Sequence, residues 1–199
     1  MTNATFPRIS MIAIAAAIAL CSTPAQAEKA DSTKAMSVEG ERLIIGEKKG
    51  VNSLVGDVEL VRGTLLIKAD RAVVTRSDSG DQSVVLHAPA NGHVSFRQKR
   101  DGGKDLWIEG EADRVEYDDK TEIVRFVASA KVRYLENGKT TQEQEGEFMS
   151  YDSKNDVFIA TNNASGNRVA GGGRVKLTIQ PKADNKSDTK VDVKANKEE

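Results

Sequence analysis

Apolar residues recur at every second position in a series of short runs, and a cluster of turn-forming residues closes each run. Val58/Leu60, Leu65/Ile67, Val94/Phe96, Val124/Phe126, Val132/Tyr134, Val157/Ile159 and Val175/Leu177/Ile179 all follow this pattern. A period of two places alternate side chains on opposite faces of a strand, whereas a helix needs a period of about 3.6. The runs are separated by Arg62-Gly63, Asp78-Ser79-Gly80, Asp101-Gly102-Gly103, Asn137-Gly138, Ser153-Lys154-Asn155-Asp156 and Gly171-Gly172-Gly173. These residue types tolerate the backbone angles of tight turns. Many short strands with regular turns imply an all-β chain with antiparallel pairing, as a sandwich, a barrel or a solenoid. From Val55 to Thr75 two strands are expected to fold back on each other at Arg62-Gly63.

One stretch carries the opposite signal. Glu111 to Glu136 is rich in helix formers and places Ile123, Phe126, Ala130 and Tyr134 at helical spacing. Asp118-Asp119 reads as a turn inside it, and its valines and tyrosines suit a pleated surface better than a helix. Strand is therefore the expectation here too.

The runs also belong to a degenerate repeat. A small residue, any residue, valine, any residue and a large apolar residue occur in order four times. The copies are Gly56-Asp57-Val58-Glu59-Leu60, Gly92-His93-Val94-Ser95-Phe96, Ala130-Lys131-Val132-Arg133-Tyr134 and Gly173-Arg174-Val175-Lys176-Leu177. Between them falls a second element built around a small and acidic pair: Val38-Glu39-Gly40-Glu41, Ile67-Lys68-Ala69-Asp70, Ile108-Glu109-Gly110-Glu111 and Gln144-Glu145-Gly146-Glu147. The last copy has glutamine where the others are apolar. Alternation of two such elements implies strands stacked rung upon rung, each covering its neighbour's apolar face. A rolled sheet of this kind leaves an open edge at each end. The ends are either covered by the chain's own loops or paired with another copy, last strand to first strand.

The first residues place Arg8 before an apolar run from Ile9 to Leu20 and then Ala25-Gln26-Ala27. That order is a secretory leader, with the cut expected between Ala27 and Glu28, and the run is too short for a membrane span of roughly 20 residues. Cys21, the one cysteine, follows Leu20 rather than a small residue, which disfavours lipid attachment, and it would leave with the leader. Residues 28–35 are read as a flexible lead-in, 36–181 as the folded domain, and 182–199 as a disordered polar tail with too little apolar surface to order itself. The chain carries 29 basic and 30 acidic residues, interspersed, and few aromatics. No basic stripe or base-stacking surface results, so nucleic acid is not an expected partner.

Catalytic chemistry is thinly represented. His87 and His93 are the two histidines and flank a proline-containing loop; with no third ligand at a characteristic spacing, no metal site is expected. Asp70 and Asp113 stand in a repeated Ala-Asp-Arg, a pattern that invites a paired-carboxylate glycosidase reading. Its recurrence with the repeat makes a strand-end role the plainer account, with Asp accepting backbone donors and Arg pairing locally. Gly171-Gly172-Gly173 lacks the following Lys-Ser/Thr of a phosphate-binding loop. No cofactor, no catalytic residue and no energy source is expected.

Taken together, several segments resemble the LptA, or OstA-like, family of periplasmic lipopolysaccharide-transport proteins. They are Gly56-Asp57-Val58, Gly63-Thr64, Ile67-Lys68-Ala69-Asp70-Arg71 running into Val73-Val74-Thr75-Arg76, and Gly166-Asn167-Arg168-Val169 before a final strand ending at Pro181. The resemblance implies a twisted, slightly open antiparallel β-jelly roll whose interior binds the lipid A part of lipopolysaccharide. It also implies head-to-tail self-association into a bridge, with an inner-membrane LptC-like protein at one end and an outer-membrane LptD-like translocon at the other. Carried over by position, it puts Met36, Val38, Phe96 and Tyr117 in the groove lining and Arg76 near its mouth. Asp119 falls where the family can carry an apolar residue.

An acyl chain of about a dozen carbons moved into water costs on the order of 10 kcal/mol, at about 0.8 kcal/mol per methylene. A carrier must therefore supply continuous apolar cover. Val38, Val58, Leu60, Leu65, Ile67, Val94, Phe96, Tyr117, Val132, Tyr134, Val175 and Leu177 are the expected lining. Groove and sealed core make the same demand of these residues. An envelope scaffold that pairs β-edges without cargo is the second reading, and an envelope-glycan enzyme using Asp70 or Asp113 the third.

Overall fold

The computed structural model describes residues 31–181 apart from 48, 49 and 104. The expected leader with its cut at Ala27/Glu28, and the polar tail from 182, lie outside the described residues. Among the described residues twelve strands follow in order: β1 (Ser37–Glu39), β2 (Arg42–Gly46), β3 (Val51–Arg62), β4 (Leu65–Arg76), β5 (Gln82–His87), β6 (Val94–Lys99), β7 (Leu106–Ala112), β8 (Arg114–Asp118), β9 (Ile123–Glu136), β10 (Lys139–Asp152), β11 (Val157–Thr161) and β12 (Lys176–Ile179). Every pairing is antiparallel. Glu111 to Glu136 is strand on both sides of a turn after Asp118, so β-branched and aromatic residues override the helical spacing.

The strands form two rows that share four long members. One row runs β1-β3-β4-β6-β7-β9-β10-β12 and the other β2-β3-β4-β5-β8-β9-β10-β11. β3, β4, β9 and β10 pass from one row to the other, so the sheet folds over along a corner and its two halves face each other. The corner is built from bulges. Register shifts separate Val55 from Val58 in β3 and Gly146 from Phe148 in β10. Backbone with positive φ stands there, at Gly56 (84°), Asp57 (42°), Ala128 (62°) and Ser129 (51°). Gly56 favours this bend because its φ of 84° is one that side chains rarely adopt.

The small and acidic pairs lie at or beside the same corner and change the phase of the strand. In β4 the buried residues are Leu65 and Ile67 before it and Ala72 after it, an odd series turning even. In β10 the switch runs from Gln144 to Met149 and Tyr151, and Asp113 separates Ile108, Gly110 and Ala112 of β7 from Val115 and Tyr117 of β8. One residue of slip flips every following side chain to the other face. Here it keeps the apolar face inward on both sides of the fold.

Candidate functional site

The inner faces of the two halves make one apolar interior. On the first half a cross-strand row runs Val38, Leu60, Ile67, Phe96, Gly110, Val132, Gln144, Leu177. On the second it runs Leu43, Leu54, Ala72, Leu86, Val115, Phe126, Met149, Ala160. Both rows are buried between their terminal residues. Phe96 and Phe126 meet across the interior edge to face, with ring centroids 5.3 Å apart.

Most of the expected lining lies in this interior. Val58, Leu60, Leu65, Ile67, Val94, Phe96, Tyr117 and Val132 are buried in the core, and Met36, Val38 and Tyr134 pack partly buried against it. Val175 and Leu177 instead stand exposed at the final edge, where Leu177 ends the row beyond its covered part and Val175 lies just before β12. Arg76 is exposed at the end of β4 farthest from the corner. Gln144 takes the inward position of the fourth repeat copy and is buried there. The inner face of the second half, from Leu54 and Leu86 to Met149 and Tyr151, lies outside the expected lining except at Tyr117. The alternations Val84/Leu86, Val115/Tyr117 and Met149/Tyr151 are its trace in the sequence.

Opposite the corner, the two halves meet along a rim bridged by side chains. Arg62, at the end of β3, lies 8% exposed. It donates from Nη1 to the Tyr117 hydroxyl at 2.7 Å, pairs with Asp119, and donates to the main-chain carbonyls of Ser32 and Lys34. Burial alone would lower the Arg62 pKa, but Tyr117 and Asp119 outweigh it and hold it above its ordinary value. Burial raises Tyr117, with Arg62 opposing. Farther along, Arg100 reaches from beyond β6 to Asp156 at 2.8 Å and stacks 4.4 Å over the Tyr134 ring. Tyr151 donates to the other oxygen of Asp156 at 3.2 Å, and Tyr134 faces Phe158 across the rim at 6.4 Å. Residues 31–34 form a turn against this rim, with Asp31 buried and accepting from Thr64.

The remaining polar candidates sit outside the interior. Asp113 Oδ1 lies 3.1 Å from His93 Nδ1, and its other oxygen accepts from Ser129 at 3.3 Å. The carboxylate thus stands between hydroxyl and imidazole, an order that does not activate the serine. Asp113 accepts from side chains here rather than from the expected backbone donors, while Arg114 pairs locally with Glu116 at 3.0 Å. Among the described residues no three of His, Cys, Asp and Glu converge as metal ligands.

The family described as LptA/(LptD N-terminal domain) LPS transport protein matches residues 37–157. The chain belongs to this family. It is 27% identical over 152 residues to the lipopolysaccharide export system protein LptA of Haemophilus influenzae, covering 74% of this chain and 82% of that one. The LptA of Escherichia coli K12 is 25% identical over 126 residues, 63% of this chain and 66% of that one. The crystal structure of LptH, the LptA-homologous periplasmic component of the lipopolysaccharide transport device of Pseudomonas aeruginosa, superposes with a TM-score of 0.63 at 22% identity. That superposition covers 76% of this chain and 99% of LptH, and it establishes the antiparallel jelly-roll fold. The named relatives are export and transport proteins. Of the resembling segments, those from Gly56 to Arg76 lie inside the span matched to the family, while Gly166-Asn167-Arg168-Val169 lies beyond it.

Proposed function

We propose that this chain is a periplasmic carrier in lipopolysaccharide export, holding the acyl chains of lipid A between its two facing half-sheets while the saccharide stays in water. The observation that carries the reading is the interior itself, two apolar rows running from one edge of the molecule to the other. A protein of this size needs a core, but a core ordinarily ends inside the molecule. These rows instead continue to edge strands with exposed apolar residues, Leu43, Ile44 and Ile45 in β2 and Leu177 and Ile179 in β12. Such ends suit head-to-tail pairing with a second copy, with an LptC-like protein at the inner membrane and with an LptD-like translocon at the outer membrane. Secretion through a leader cut at Ala27/Glu28 belongs to the same reading, as does the division into a domain at 36–181 and a polar tail. Family membership favours cargo transport over a scaffold without cargo.

A photo-crosslinking residue at position 96 or 117 tests it. Both side chains project into the interior, so lipopolysaccharide held there is expected to become attached on irradiation in cells. A folded protein with its partners present that never yields the lipid adduct overturns the carrier reading.

A further inference from the structure

Acyl chains that travel inside the molecule while a bulky hydrated headgroup remains outside need a slit along the groove, because a polar headgroup does not pass through a packed apolar core. On the corner side no slit exists, since β3, β4, β9 and β10 run continuously through both halves. On the opposite side the halves touch through side chains, and among the described residues no main-chain hydrogen bond joins one rim to the other. Two arginine contacts cross that seam, Arg62 to Tyr117 and Asp119, and Arg100 to Asp156. With both closed, Leu60, Ile67, Val94 and Phe126 have no accessible surface. Cargo held by the closed form is therefore excluded, and the rim must part for the interior to be used.

We infer that this rim is a gated slit whose two arginine latches open as the headgroup of a saccharide-bearing amphiphile passes and close behind it. The bulges at Gly56-Asp57 and Ala128-Ser129, on the corner, stand where a hinge for this opening belongs. Both latches are ion pairs that water can replace once exposed, so opening does not strand a buried charge. Arg62 also holds the carbonyls of Ser32 and Lys34, which makes the 31–34 turn a strap released with the first latch. The inference rests on the carrier reading and adds the route by which the cargo enters and moves.

The test uses the full chain with Cys21→Ser, a photoreactive residue at 96, and cysteines at 62 and 119 that a short bis-maleimide can join. Purified lipopolysaccharide is the probe. Joined, the rim is locked, and the adduct at 96 is expected to fall about tenfold or more. Unjoined, the same chain lacks the latch and is expected to capture the probe faster than the chain with Arg62 and Asp119 in place. Equal capture by the joined and unjoined forms means that cargo enters through the open ends, and it overturns the gate while leaving the carrier reading intact. Should the chain with Arg62 and Asp119 in place give no adduct either, both fall. If replacing Arg62 prevents folding, cysteines at 100 and 156 put the same question at the more exposed latch, and an unaffected adduct there overturns the gate equally.

Discussion

At the scale of single residues, Gly110 shows how closely the two halves are fitted. It holds an inward position in β7, between Phe96 and Val132, where every neighbouring strand presents a large side chain. A β-carbon there would lie 2.4 Å from the ring of Phe126 on the opposite half. The missing side chain is therefore the space that the phenylalanine occupies. Gly110→Ala is expected to destabilise the protein by about 1–3 kcal/mol through overpacking, read from denaturant unfolding. Combined with Phe126→Leu, the loss is expected to be smaller than the sum of the two single losses, because the shorter side chain vacates the clash. An additive pair would mean that the two residues do not share that space. A glycine inside a strand does announce a close approach. What approaches it comes from β9, the strand that pairs with β7, but from its part beyond the corner, and alternation along β7 carries no record of that fold-over.

At the scale of elements, the strands and turns were legible because each obeys a local rule, but the corner was legible only as a repeat without a meaning. Ala69-Asp70 and Ala112-Asp113 look like strand ends, and the second is one; Asp70 instead lies inside β4. The expected lining came almost wholly from the first half-sheet for the same reason. The valine repeat marks that half alone, whereas the phase switch hides that Val84, Val115 and Met149 face the same interior. The rim pairing itself left no signal, since Arg62, Asp119 and Asp156 read as turn residues and only Asp119, at a position where the family can carry an apolar residue, stood out. Two turns carry the acidic partners of the latches, and each is held by the carboxylate just before it. Asp118 accepts the Thr121 amide at 2.8 Å, and Asp152 accepts the side chain and amide of Asn155. These bonds hold both carboxyls below their ordinary value of 3.8. A depressed folded value means that each contributes stability above that pH and loses it as pH falls through the folded value. Acid is thus expected to loosen both rim turns together, seen as falling hydrogen-exchange protection at Thr121 and Asn155 below about pH 4. Asp118→Asn is expected to remove that dependence at Thr121 alone; protection at Thr121 that still falls with acid would place the cause elsewhere.

At the scale of the whole molecule, the strand count bears on how copies can join. Among the described residues each row holds eight strands, all antiparallel, so its first and last members run in opposite directions. A second copy displaced along the groove without rotation then brings its β1 and β2 against β12 and β11 as antiparallel neighbours, the geometry every other pair in the molecule uses. The two apolar rows become continuous across the junction, from Leu177 of one copy to Val38 of the next. An odd number of strands would have forced parallel pairing or a rotation that breaks the rows. The exposed apolar side chains sit where this requires them, with Leu177 at 55% and Ile179 at 69% exposure on β12. Changing both to aspartate removes apolar area from the junction and sets charges against the next copy's β1. Because neither side chain is packed in the core, stability is expected to change by no more than about 0.5 kcal/mol. Self-association, followed by sedimentation across a concentration series, is expected to fall to monomer. If the chain with Leu177 and Ile179 in place is already monomeric over that series, the edges are not joined to each other. If instead it assembles and the double aspartate variant assembles equally well, the copies meet through another surface, and the groove does not run from copy to copy.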